Sequence, residues 1–343
     1  MKRLKTIIIY RVIIITAIGT CMVFSLKAQD IHFTQYFYSP MNLNPSNAGN
    51  YDGDWRFVNN YRNQWKALSI PYRTIGVSFD HQLYIHSEQF SYAFSVVNDK
   101  SGPAGLTVNK IFLALAYHKT IHQHNWHMGL QGGMVFKNYS LSELTFPSQF
   151  DMTTGHFNSQ LPSTETNMQT NINYPDINVG VGWDKAFRYF HPEIGVSFFH
   201  LLSPKETFLD NNNKLPVRSS INAGINIPIQ SFYIKPEVYQ MRQHKATDMI
   251  QGLECGYYLK KSSPFFKRIF AGVFARNDFS TSFDASIFIA GVQIKQLQLG
   301  FSYDINMSDL SKATNNRGAF EFSLIYISKS TIPKKITLPC DRL

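Results

Sequence analysis

Leu297-Gln298-Leu299-Gly300-Phe301-Ser302-Tyr303-Asp304-Ile305-Asn306 decides the fold. Its odd-numbered residues are large and apolar, its even-numbered ones small, amidated or acidic. A period of two becomes two faces only on an extended strand. The same alternation runs through residues 220–229, where Ile221, Ala223, Ile225, Ile227 and Ile229 oppose Ser220, Asn222, Gly224, Asn226 and Pro228. In a third stretch Ile75, Val77 and Phe79 oppose Gly76, Ser78 and Asp80. Such stretches follow one another from Trp55 to Ile327.

A soluble β-sandwich shows the same pattern with its greasy face turned inward, so alternation alone leaves the choice open. The connections discriminate. With about fourteen strands numbered in order, the even-to-odd joins are compact, around residues 86–89, 122–125, 230–231 and 295–296. Residues 185–191 and 260–266 make somewhat longer joins on the same side. Several odd-to-even joins are long: residues 141–175, 202–216 and 308–318. Sorting by parity is expected of a barrel with tight periplasmic turns and longer outer loops. The expected fold is all-β, a transmembrane antiparallel β-barrel of about 14 strands in the outer membrane.

Lys2, Arg3, Lys5 and Arg11 precede an apolar run over residues 12–26 and then Ala28, the pattern of a secretory signal peptide cut after Ala28. Removing that leader takes five basic residues, with Lys27, and no acid, so the formal charge falls from +10 to +5. That is too mild to imply nucleic acid as a partner. The domains expected are a leader (1–28), a turn-rich lead-in (29–54), the barrel (55–328) and a tail (329–343). The lead-in is rich in Asn, Pro, Ser and Gly, which rules out a long strand and suits an ordered segment on the periplasmic side or inside the lumen. Phe33, Tyr36, Phe37 and Tyr38 argue against full disorder. An even strand count puts tail and N-terminus on the periplasmic side. Aromatic pairs at segment ends, Tyr36-Phe37, Tyr189-Phe190 and Tyr257-Tyr258, suit interfacial girdles.

Catalytic signals are few. No Ser-His-Asp order, phosphate-binding loop or zinc spacing stands out, no lipid-facing Ser-His pair suggests a phospholipase, and no cofactor is expected. His122, His124 and His127 fall in or beside a short turn without a neighbouring Cys or acid, closer to an interfacial turn than to a metal site. With the leader gone only Cys255 and Cys340 remain, and a disulfide and two free thiols both stay open. Asp80, Asp184, Glu237, Asp304 and Glu321 fall on the non-lipid face, as do Lys137 and Lys235. Charge in a narrow barrel must be paired or wet, so these residues either stiffen a filled lumen or ring a channel.

Gln29-Asp30-Ile31-His32-Phe33-Thr34-Gln35-Tyr36, then Asn42, Asn44-Pro45-Ser46-Asn47-Ala48-Gly49 and Tyr61-Arg62-Asn63-Gln64-Trp65, resemble the opening signature of the PorP/SprF family of the type IX secretion system. Gly300-Phe301-Ser302-Tyr303-Asp304, Ser308-Asp309-Leu310 and Glu321-Phe322-Ser323-Leu324-Ile325-Tyr326 resemble its closing part. Ile31 stands where that family usually has proline, and Cys340-Asp341-Arg342-Leu343 replaces a Cys-Pro-Arg-Phe-like ending. The resemblance implies a non-enzymatic barrel in contact with outer-membrane lipid. It also implies work alongside the type IX secretion machinery, assisting secretion or surface attachment of cargo such as the C-terminal domain of a large adhesin, with gliding motility as one associated process. The alternative is a passive channel or a hydrophobic-solute transporter.

Overall fold

The computed structural model describes residues 30–331 apart from 66–69, 87, 103, 141–143, 159, 162–168, 209–211, 260–264, 279–281 and 309–310. The expected leader, Gln29, Cys340 and the tail beyond residue 331 lie outside the described residues, as does any pairing of Cys255 with Cys340.

Alternation yields β1 (Trp55–Gln64), β2 (Tyr72–Ile85), β3 (Glu88–Ser101), β4 (Leu106–Ile121) and β5 (His124–Asn138). A small loop hairpin follows, β6 (Phe150–Asp151) and β7 (His156–Phe157). The chain continues through β8 (Asn171–Asp184), β9 (His191–Phe199), β10 (Arg218–Ile229), β11 (Phe232–Gln243) and β12 (Ala246–Tyr258). It ends with β13 (Phe266–Asp278), β14 (Ser282–Ile294), β15 (Leu297–Asn306) and β16 (Arg317–Ile327). All but β6 and β7 form one closed antiparallel barrel, fourteen strands in sequence order. Closure is made by β1, whose Arg56 pairs with Asp80 of β2 on one side and Ile327 of β16 on the other. With no free edge, the barrel satisfies its backbone polar groups in a medium that offers none. The first barrel strand begins at Trp55 and the last ends at Ile327.

The faces divide as the alternation requires. On β15, Phe301 is 50% exposed while Ser302 and Asp304 are fully covered. On β4, Leu113 and Leu115 are each 65% exposed while Phe112, Ala114 and Ala116 are buried. A contiguous belt of exposed Leu, Ile, Val and Phe is costly in water, roughly 1.5–3 kcal/mol for each large side chain, and suits a lipid exterior.

Details differ from the expectation. The long connection ends at residue 170, not at Pro175, which lies within β8 opposite Met134. Leu201 donates to the Ile177 carbonyl at 3.0 Å, so the odd-numbered backbone of β8 faces the β9 side. At Pro175 β9 has already ended, and the missing N–H leaves no ladder gap. On the loop side, residues 244–245 make a join as tight as any turn opposite, so short joins are not confined to one end. Only His122 of the three clustered histidines lies in the turn, with His124 and His127 on β5. The pair Tyr36-Phe37 belongs to no girdle: Tyr36 is buried and stacks on Tyr239 with ring centroids 4.7 Å apart.

Candidate functional site inside the barrel

Residues 31–54 form three short helical turns (Tyr36–Tyr38, Pro40–Leu43 and Pro45–Asn47) separated by Ser39 and Asn44, and they fill the lumen as a plug. Proline opens two of the turns, where its missing N–H costs nothing. Asn44 caps the third, its Oδ1 accepting from Ser46 N at 2.9 Å and Ser46 Oγ at 2.8 Å.

The plug starts at the loop side. Ile31 packs against Val108, Val135 and Tyr174, each close to the loop end of its strand. Below it, a charged cluster holds Thr34 and Gln35. The Glu321 carboxylate accepts from Thr34 N and from Gln35 N (2.8 Å) and pairs with Arg62. Asp304 accepts from Thr34 Oγ1 (2.9 Å) and faces Arg276 at 3.1 Å and Arg62 at 3.6 Å. The Gln35 amide donates to Ser302 Oγ (3.1 Å) and accepts from Ser323 Oγ (2.8 Å). His32 stands 3.4 Å from Asp248. Arg62 also donates to Thr34 Oγ1, so all the strong groups at this height converge on two plug residues.

At mid-height the grip is aromatic. Phe37 meets Phe274, and Tyr38 meets Phe270. The Tyr38 and Tyr233 hydroxyls both donate to Glu254 at 2.6 Å.

Nearest the turn side the fit is steric. Asn44 Nδ2 donates to the carbonyls of Val181 (3.0 Å) and Val196 (3.3 Å), and Asn44 itself occupies the space a Cβ at Gly180 would need. Pro45 lies so close to Gly129 that a Cβ there would overlap its backbone. Gly49, at φ +73°, donates its N–H to Asp80 (2.7 Å), which also takes Arg56 at 2.8 and 3.0 Å. His118 bonds the Ala48 carbonyl at 2.7 Å and continues through His127 to Asp184, where His191 also ends.

The lead-in therefore runs the length of the lumen, from loop side to turn side, before Trp55 begins the wall. Of the two places expected for the lead-in, the periplasmic side or the lumen, the described residues lie in the lumen, where their polar side chains meet partners in the wall, so burial costs them little. Of the residues singled out from sequence, Phe33, Gln35, Tyr36, Asn44, Pro45, Ala48 and Gly49 are buried plug residues, and Asn42 bonds Ser39 within it. Arg62, Asp80, Asp184, Glu237, Asp304 and Glu321 face them from the wall. Lys235 bridges Glu193 and Glu237, and Lys137 pairs with Glu206 near the outer mouth. Gln64 accepts from Arg62 at 3.1 Å. Tyr61, Trp65 and Tyr303 are not brought in: Tyr61 packs on Phe320, Trp65 on Tyr72, and Tyr303 is 39% exposed. Asp30 is the first described residue. Sequence reasoning missed Arg276, Glu254 and Glu193, although the alternation along β13, β12 and β9 puts each of them on the inner face.

The sequence profile described as type IX secretion system membrane protein PorP/SprF matches residues 25–326. The chain belongs to the PorP/SprF family. No curated protein sequence is a significant match. Among solved structures it is similar to the CymD monoaromatic hydrocarbon channel, at 10% identity over 85% of this chain and 93% of that one, TM-score 0.47. It is also similar to Salmonella typhi OmpF in complex with daunomycin (9% identity, 80% and 96% coverage, TM-score 0.38). CdiB from Acinetobacter baumannii is a third (6%, 80% and 60%, 0.42). The PorP/SprF family is a membrane component of a secretion system, and in this chain Gln35 of the plug donates its N–H to Glu321 of the last strand.

Proposed function

We propose that this PorP/SprF barrel works in the outer membrane as a closed, non-enzymatic partner of the type IX secretion machinery, assisting secretion or surface attachment of cargo such as large adhesins. The plug carries the reading. A lumen pinned by charge at one end, rings in the middle and steric fit at the other leaves little free path for a solute. Function then resides on the outside of the closed cylinder. The outer face offers the connection over residues 139–170, whose hairpin exposes Phe150, Met152 and Phe157. This loop is the surface assigned to cargo, and the turn side with the C-terminal tail is assigned to periplasmic components. Gliding motility follows where the cargo is a motility adhesin.

The test has two arms. Deleting the gene should abolish surface display of the dependent adhesin, measured by labelling intact cells; unchanged display sinks the partner reading. Planar-bilayer recordings of the purified protein should show no sustained conductance until residues 31–47 are removed. Steady conductance by the intact protein would instead favour the channel.

A further inference from the structure

Between the plug and strands β8–β11 lies a cavity of about 180 Å³, bordered by exposed Asn50 and by Glu193, whose side chain is 45% exposed. Two buried polar atoms line it without a hydrogen-bond partner among the described residues. One is Oε2 of Glu237, on a side chain 4% exposed, and the other is the hydroxyl of Tyr36, a residue 5% exposed. An acceptor buried without a donor is unfavourable, and two in one cavity mark a place shaped for something that donates.

Charge selects the class. Asp184, Glu193 and Glu237 line the cavity with one ammonium among them, Lys235, held 2.8 Å from Glu193 and 2.7 Å from Glu237. Arg56 and His127 also reach the lining, but the Arg56 guanidinium is engaged by Asp80, and His127 is engaged by Asp184 and His118, which leaves Glu193 and Glu237 facing Lys235 alone among the lining groups. Carboxylate is in excess, so an anion is repelled. A divalent metal needs about six oxygen ligands and would face Lys235 between the two glutamates. A primary ammonium or guanidinium fits: it carries only donors, and both orphaned oxygens can accept from it, Glu237 as a carboxylate and Tyr36 as a hydroxyl that keeps its own proton to donate.

We propose that this cavity binds an organic cation, a primary ammonium or guanidinium on an unbranched chain. It enters past Glu193 and is held by Glu237 and Tyr36. Its two sources are a free diamine and a lysine or arginine side chain presented by a protein on the turn side. The site stands independently of the secretion reading, since it rests on the cavity alone.

The full-length protein in detergent is titrated calorimetrically at low salt with cadaverine, with N-acetyl-lysine methylamide, and with the same lysine acetylated on Nζ. Saturable binding of a charged probe is expected, absent for the acetylated one. Glu237→Gln should weaken it about tenfold or more, the scale of one charge-assisted hydrogen bond. Tyr36→Phe should weaken it by a smaller factor, and Glu88→Gln, at a rim outside the cavity, should leave it unchanged. Cadaverine binding alone names the free amine as the source, and lysine binding alone names the side chain. No saturable binding of either, equal binding of the acetylated probe, or unaltered affinity in both Glu237→Gln and Tyr36→Phe overturns the proposal. Heat-modified gel mobility reports whether each variant keeps its barrel, and Tyr36→Phe carries the test if Glu237→Gln does not.

Discussion

At the loop side of the lumen the plug is gripped by charge: Thr34 and Gln35 sit among Arg62, Arg276, Asp304 and Glu321, whose side chains are at most 6% exposed. Near the turn side it is gripped by shape, with Asn44 and Pro45 in notches left by Gly180 and Gly129. Both grips bury polar backbone, yet they fail differently. A buried ion cluster falls hard when one member is removed, because the others stay desolvated and unpaired. A steric notch fails by overpacking, when a side chain is forced into the space the plug backbone occupies.

The largest effect is therefore expected from Arg62→Met. Glu321 loses its guanidinium and Asp304 keeps only Arg276, so docking of the upper plug should weaken by about 3–5 kcal/mol. Measured as protease cleavage within residues 31–38, it should turn a resistant segment into a cut one. The double variant Arg62→Met with Glu321→Gln should recover part of that loss, since the unpaired charge is gone while the amide oxygen still accepts from the plug backbone. If the single variant stays resistant, the upper grip is not ionic and the comparison fails. Gly129→Val comes next, at about 1–3 kcal/mol from overpacking against Pro45. Thiol labelling of an introduced Ala48→Cys should rise in that variant while residues 31–38 stay protected. Asn44→Ala follows at about 1 kcal/mol for the lost cap, with the Val181 and Val196 carbonyls also losing a donor. Faster hydrogen exchange at the Ser46 amide reads it.

The wall was legible and the plug was not, for a physical reason. Strand alternation is a local signal, so Asp80, Asp304 and Glu321 declare their inward face within a few neighbours. The contacts that hold the plug join residues far apart, 287 positions between Thr34 and Glu321 and 137 between Asn44 and Val181. Turn-rich composition over residues 29–54 specified compact turns without saying what they would lie against. Tyr36-Phe37 reads as a membrane girdle for the same reason, because an aromatic at a segment end looks the same whether the neighbouring surface is lipid or the inside of a wall. Gly129 and Gly180 likewise look like ordinary small barrel residues until Pro45 and Asn44 are beside them.

A third grip lies outside the lumen and sharpens the comparison by depending on neither buried charge nor fit. Where the plug leaves the barrel, Asp54 clasps the start of the tail, accepting from Thr331 N at 3.0 and 3.1 Å and from Thr331 Oγ1 at 2.7 Å. These hydrogen bonds, the hydroxyl first and then the amide, hold the Asp54 carboxyl below its ordinary pKa. A carboxyl whose pKa is depressed in the fold contributes stability that is complete above the unfolded value of about 3.9 and is lost as pH falls through the lower folded one. The clasp should thus hold at neutral and mildly acidic pH and open only under stronger acid. Because Asp54 is solvent-exposed the effect on the whole barrel should be the smallest of the four. Exchange of the Thr331 amide followed from pH 6 downward reads it directly, and Asp54→Asn should flatten the profile while residues 31–49 remain protected. Opening already near pH 6 would remove the Asp54 carboxyl from control of the tail.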